Sequence, residues 1–218
     1  MVKLNVLLAG VGGQGVVLAS DILADVALAA GLDVKKTDTL GMAQRGGSVV
    51  TQVRIGEKVA SPLIGENDVD LLLAFEKLES ARWADRLKEG ATVILNDNSV
   101  PPLSVSQGAE PYPGDIEIIH LLKHRRADLV IIQGSLHATE MGNPKILNIL
   151  MLGALSMLTP FNPELWIQAI SKRLPPKIID INLKAFQRGR KDFLSILAEM
   201  SVEAGLEIDG HGDDCGCH

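Results

Sequence analysis

A short apolar run, residues 4–9, ends on Gly10-Val11-Gly12-Gly13-Gln14-Gly15, and an alanine-rich stretch of helical spacing, residues 14–30, follows. This succession constrains the fold more than any other feature. A continuous apolar run without alternation reads as a strand buried on both faces. Glycines at this spacing let the chain turn sharply from strand to helix and let another group approach the backbone. The helix start then offers unpaired N–H groups and the positive end of its dipole. Gly31 is placed to close the helix, with Ser20, Asp21 and Asp25 expected on its wetter side. Residues 32–37 return as a second strand, which makes a βαβ unit.

A glycine-rich loop comes next, Gly41-Met42-Ala43-Gln44-Arg45-Gly46-Gly47. Residues 48–55 alternate as a strand, Gly56-Glu57 is a turn and residues 58–60 start back, so a hairpin inserted after the βαβ unit is expected. Residues 69–75 and 91–95 read as buried strands, with a charged amphipathic helix over 76–88 between them. The four prolines of 101–113 mark a loop. Residues 129–133 are a further strand. After Gly142 the chain turns helical over 144–158, 163–172 and 177–203, with Asn162-Pro163 as a capped start. Strand and helix in alternation imply a parallel sheet with helices on its faces.

A net charge of −6 and 3% aromatic residues argue against nucleic acid as a partner. Both cysteines, Cys215 and Cys217, lie in the tail, which fits a reducing cytoplasm and leaves no disulfide framework. Residues 1–3 lead directly into the first strand pattern, so no signal peptide is expected. Residues 146–163 carry no charge, but Asn148, Gly153, Ser156, Thr159, Pro160 and Asn162 interrupt them, so a buried helix is expected rather than a membrane span. The expected organisation is one domain, residues 1–208, and an unstructured tail, residues 209–218. The tail's His211, Asp213, Asp214, Cys215, Cys217 and His218 could hold zinc or copper, yet the body supplies no second ligand pair.

The glycine loop admits a phosphate, a partner surface or simple helix–strand packing. A nicotinamide dinucleotide requires an acidic residue about 20 positions on to hold the ribose. Lys35 and Lys36 stand there instead, with Asp38 near, and two lysines would suit a 2′-phosphate. Arg45, between Gln44 and two glycines, suits a carboxylate, a phosphate or an interface ion pair. Gln14 is placed either to donate to a ligand or to point along the helix mouth. Asn148 stands out on an apolar helix, as a cap for a neighbouring loop or a contact to the Arg45 region. His137, at a strand end, is either structural or catalytic. His120 and His124 fall on a solvated basic helix face.

Several segments in order resemble the gamma-type subunit of 2-oxoacid:ferredoxin oxidoreductases, with the indolepyruvate branch the nearest in appearance. They are the Gly10–Gly15 loop, the Gly41–Gly47 loop with Ser48, Val53-Arg54-Ile55-Gly56, Ser61-Pro62-Leu63-Ile64 and Asp70-Leu71-Leu72-Leu73-Ala74. Gly142-Asn143, Asn148, Leu152-Gly153-Ala154, Asn182, Ala185-Phe186 and Gly189 continue the match, which covers residues 4–190. The resemblance implies an α/β, Rossmann-like, doubly wound and mostly parallel sheet with C-terminal helices. It also implies a division of labour. This chain binds no cofactor, and a larger partner subunit holds thiamine diphosphate, magnesium and the iron–sulfur clusters. That partner oxidatively decarboxylates a 2-oxoacid, an aryl pyruvate by the nearest branch. Electrons pass to ferredoxin and coenzyme A takes the acyl group. Gly10, Gly12, Gly13, Gln14, Gly15, Gln44, Arg45, Gly46, Gly47 and Asn148 are then expected to face ligand or partner, with no catalytic residue assigned. A stand-alone NAD(P)-dependent reductase is the rival reading, and a purely structural assembly module a third.

Overall fold

The structure, a computed structural model, describes residues 2–41, 47–106 and 111–209. The elements of the first half are β1 (Lys3–Val11), α1 (Val16–Ala29), β2 (Asp33–Leu40), β3 (Ser48–Gly56), β4 (Val69–Ala74), α2 (Lys77–Arg82) and β5 (Leu87–Asn96). The second half carries α3 (Leu103–Ser106), α4 (Asp115–His124), β6 (Asp128–Ile132), α5 (Gly134–Glu140), α6 (Leu147–Ser156), α7 (Pro163–Arg173) and α8 (Pro176–Asp209). The strands form one sheet in the order β2-β3-β1-β4-β5-β6. The β1–β4, β4–β5 and β5–β6 pairs are parallel, while β3 runs antiparallel to both β1 and β2. The α/β sheet is therefore mostly parallel, as expected.

The inserted hairpin has a different partner from the one expected. β3 pairs with β2 and β1, and residues 57–60 form no strand. The reason is burial on both faces. Val49, Val50, Thr51, Val53 and Ile55 are all buried under helices on the two faces, so β3 lies inside the sheet, where β1 on one edge and β2 on the other pair its backbone. The β1–α1–β2 crossover exists, but β3 lies between its two strands. The helix expected over 76–88 is also shorter. α2 ends at Arg82, a 3₁₀ turn follows at Ala84–Arg86, and Leu87 is already in β5, buried and paired with Val69. Ser20, expected on the wet side of α1, is buried, where it donates to the Val17 carbonyl at 2.7 Å and accepts from Lys36.

Helices cover the sheet on both faces. α1, α6, α7 and α8 enclose one apolar cluster, centred on Leu8, Leu73 and Ile94. α2 and α4 enclose the other, centred on Leu7, Leu72 and Val93. Arg173 clamps α7 to α1, reaching Asp25 through two bonds at 2.6 and 2.9 Å and Asp21 at 3.0 Å. Asn162 caps α7 by accepting from the Glu164 N–H at 2.9 Å, as its sequence suggested.

All ten residues of α6 are buried, so this uncharged segment is a core helix. Among the described residues no helix is long and apolar enough to cross a membrane. α6 achieves this burial through close contact with α8. A Cβ on Gly153 would lie 2.1 Å from the Phe186 carbonyl oxygen, and one on Gly189 would lie 1.8 Å from that of Leu150. Both obstacles are backbone, so neither can swing aside. Gly153→Ala and Gly189→Ala are each expected to cost about 3 kcal/mol through overpacking. In a chain of this size that is a fall in Tm of roughly 6–12 °C. Gly65→Ala, where the nearest atom lies 3.9 Å away, serves as the neutral control in the same thermal melts.

Candidate functional site

Where α1 leaves β1 it packs on one face of the sheet, and where α2 leaves β4 it packs on the other. The C-terminal ends of β1 and β4 therefore flank a topological switch point, where open α/β sheets ordinarily bind ligands. Gly10–Gly15 forms one side of this crevice and Phe75-Glu76 the other.

The side chain of Gln14 fills the gap. Its Oε1 accepts from the Val11 N–H at 2.9 Å, and its Nε2 donates to the Phe75 carbonyl at 3.1 Å. Gly10 leaves room for this: a Cβ there would stand 2.7 Å from Gln14 Oε1. Gly15 has φ +79°, the left-handed region, and its missing Cβ would lie 2.5 Å from Asn148 Nδ2. Asn148 is buried and donates to the Gly15 carbonyl at 3.4 Å, tying the start of α6 to the start of α1. Gly12 donates to the Gly47 carbonyl at 2.8 Å, which joins the glycine loop to the base of the second loop. Gly10, Gly12, Gly13, Gln14, Gly15, Gly47 and Asn148 thus lie together at one end of the sheet. Gln44, Arg45 and Gly46 lie outside the described residues, as does the tail beyond Asp209.

The network continues along the strand ends through residues that sequence reasoning missed. Asn96 donates to the Phe75 carbonyl and to Ser135 Oγ, both at 2.9 Å, and accepts from the Ser135 N–H. Glu76 is buried and accepts from the Glu79 N–H, the Val100 N–H and the Tyr112 hydroxyl. Burial, then the bond to Glu76, pushes the Tyr112 phenol up to about 12. Glu79 is buried as well. It accepts from Ser48 Oγ at 2.5 Å and from Arg82 at 2.7 Å, so it braces the strand that leaves the second loop. Glu76 and Asn96 stand at strand ends and Ser48 closes the loop motif. Those positions were the available signal for finding them.

His137 belongs elsewhere, at the end of β6, where its Nδ1 pairs with Asp192 at 2.8 Å. Lys36 is engaged by Ser20, Asp21 and Asp38, and Lys35 by Asp33. A dinucleotide fits this crevice poorly. Two loop N–H groups that a pyrophosphate would use, those of Val11 and Gly12, are already bonded within the chain. β3 also occupies the place beside β1 from which a ribose-binding acid would reach in. Among the described residues no group of three or more His, Cys, Asp or Glu side chains could hold a metal ion.

Residues 5–191 match the family described as pyruvate ferredoxin/flavodoxin oxidoreductase. The chain belongs to that family. It is similar to indolepyruvate oxidoreductase subunit IorB of Archaeoglobus fulgidus, 40% identical over 197 residues, covering 88% of this chain and 96% of the relative. The corresponding subunit of Methanothermobacter thermautotrophicus is 37% identical over 187 residues, covering 85% and 95%. Among solved structures, the gamma subunit of a keto/oxoacid ferredoxin oxidoreductase from Geobacter sulfurreducens PCA shares the fold. Its TM-score is 0.65 at 24% identity, over 88% of this chain and 99% of that one. The same fold forms part of a longer chain, the 2-oxoglutarate:ferredoxin oxidoreductase of Magnetococcus marinus, with TM-score 0.70 at 23% identity. It covers 88% of this chain and 31% of the other. The family resemblance read from the glycine loops is thereby established.

The buried Glu79 carboxyl is held above its ordinary value of about 4.5, chiefly by desolvation, with Glu76 adding repulsion and Ser48 and Arg82 opposing it. A carboxyl raised in the folded state favours folding while protonated. As pH rises past the ordinary value the unfolded chain ionises first, and this contribution is lost until the raised value is passed. Glu79→Gln retains an acceptor for Ser48 and cannot ionise. The Tm of the variant relative to wild type is expected to rise from about pH 4 to about pH 7. A constant difference across that range would show that Glu79 does not titrate with folding.

Proposed function

We propose that this chain is a subunit of a 2-oxoacid:ferredoxin oxidoreductase of the indolepyruvate type. In this reading it binds no cofactor and docks its strand-end surface on a larger, thiamine-binding partner. One observation carries the reading: the Gln14 amide closes the crevice in which an autonomous α/β enzyme would hold its ligand. What remains at that end is a polar, internally braced surface, suited to contact rather than to enclosing a substrate. The identities of 35–40% with indolepyruvate oxidoreductase subunits favour an aryl pyruvate as the substrate of the assembly. The thiol count agrees, since a cubane cluster takes four thiolates and this sequence has two cysteines. Thiamine diphosphate, magnesium, clusters, coenzyme A and ferredoxin are accordingly assigned to the partner. The thiamine group, when bound there, supplies the decarboxylation chemistry. This chain's residues Gly12, Gly47, Ser48 and Glu79 would set the shape of the surface against it. A stand-alone NAD(P) reductase is disfavoured by the occupied loop N–H groups.

Two expectations follow from this assignment. The purified chain alone should contain no stoichiometric iron, oxidise no 2-oxoacid and gain no thermal stability from NAD(P). Brown protein or turnover without a partner would overturn the proposal. Arg45→Ala should change the Tm of the free chain little, by less than about 0.5 kcal/mol in stability. Across a desolvated interface the same change should cost about 2–5 kcal/mol of subunit affinity or turnover. Arg45→Lys should restore part of it, because an ammonium lacks the guanidinium fork. Undiminished assembly and turnover in the alanine variant would remove Arg45 from the interface.

A further inference from the structure

The sheet ends at β6, Asp-Leu-Val-Ile-Ile, which among the described residues pairs with β5 alone. The Asp97 N–H donates to the Ile132 carbonyl at 2.8 Å. In a strand paired in parallel on one side, alternate residues direct their backbone groups to that side. Val130 and Ile132 therefore serve β5, and the N–H and C=O groups of Leu129 and Ile131 face outward. Edge strands of soluble proteins are ordinarily blunted by lysine, proline or a bulge. β6 has none of these. Only its length of five residues limits it, and Ile131 is 36% exposed.

Two cavities flank this open edge, one on each face of the sheet, and both include Ile131. The smaller, about 130 Å³, is lined by Leu95, Ile118, Ile119 and Ile131, together with Lys77 and its carboxylates Asp97 and Asp115. The larger, about 300 Å³, lies against α8 and is lined by Ile132, His137, Asp192, Ser195, Ile196 and Glu199. A strand added at about 4.8 Å from β6 would send successive side chains to opposite faces, one toward each cavity. The α4 side offers chiefly aliphatic carbon. The α8 side offers acceptors. His137 Nδ1 pairs with Asp192, which leaves Nε2 without a partner among the described residues, and Glu199 makes no ion pair there. Asp192 is held by His137 and Arg188, and Asp97 and Asp115 by Lys77, so Glu199 is the carboxylate of the α8 lining left without an ion pair among the described residues.

We propose that β6 accepts an added strand from a partner polypeptide, an extended segment aliphatic on the side facing α4 and cationic on the side facing α8. Main-chain bonds to Leu129 and Ile131 supply the attachment. The aliphatic cavity and the acceptor-rich cavity set the register and choose the side chains. This interface lies at the sheet edge, away from the glycine loop, so it adds a second contact to the surface proposed above.

The test uses the full chain, isotopically labelled, titrated with a short capped peptide of alternating isoleucine and lysine, and separately with its isoleucine–glutamate counterpart. The lysine peptide is expected to shift the amide signals of Leu129 and Ile131, and the glutamate peptide to leave them in place. Ile131→Pro removes an outward N–H without removing a bond to β5, and should weaken the lysine peptide about tenfold. Glu199→Lys retains the edge and should reverse the preference between the peptides. No response at β6 to either peptide, or an equal response to both, overturns the proposal. Signals at Leu129 and Ile131 that move with the chain's own concentration, while its mass doubles, would make the edge a seam between two copies and overturn the assignment to a partner.

Discussion

The Phe75 carbonyl at the end of β4 is the junction on which the strand-end surface depends. It accepts from Gln14 on one side and from Asn96 on the other, so three adjacent parallel strands share one acceptor. Each carboxamide uses both its oxygen and its nitrogen. Leaving one such buried group unpaired costs about 1–3 kcal/mol, so the positions of Gly10, Gln14 and Ser135 are mutually constrained. The same junction takes away the ligand crevice that this topology would otherwise provide. A fold suited to nucleotides is here closed by a glutamine amide.

The antiparallel strand β3 has a matching effect on the other side of β1. It separates the two strands of the first crossover and brings Gly47 and Ser48 to the same end as the Gly10–Gly15 loop. The Gly12–Gly47 bond and the Ser48–Glu79 bond then fix where β3 begins. Insertion of one strand thus exchanges a cofactor crevice for a pair of braced loops.

Much of the fold was legible because its parallel strands are continuous apolar runs. Residues 4–9, 69–75 and 129–133 could hardly be anything but buried strands. β3 misled because it looks half-wet. Thr51 reads with Val49, Val53 and Ile55 on one face and Gln52 and Arg54 with Val50 on the other, yet each of the three polar residues is engaged by a group distant in sequence: Asp38 for Thr51, the Ile64 N–H for Gln52 and Asn5 for Arg54. Local periodicity cannot anticipate such partners. The end of α2 was missed because charge alternation continues past Arg82, while Leu87 answers to Val69 across the sheet. At the site, the glycines announced a tight strand-to-helix turn. The closing of the crevice depends on a carbonyl 61 residues further on and had no local signature.

The Gly153–Gly189 crossing has a consequence for the order in which the protein can be made. α6 is buried on every side, and its cover, α8, is 34 residues long and follows it in the chain. At translation rates of about 5–20 residues per second, the 53 residues that follow Ser156 up to Asp209 take roughly 3–11 seconds to appear. During that interval the glycine groove of α6 lies open. The nascent chain then presents the apolar surface that chaperones bind and that neighbouring chains aggregate through. The tight crossing that makes the finished core compact also makes its completion late.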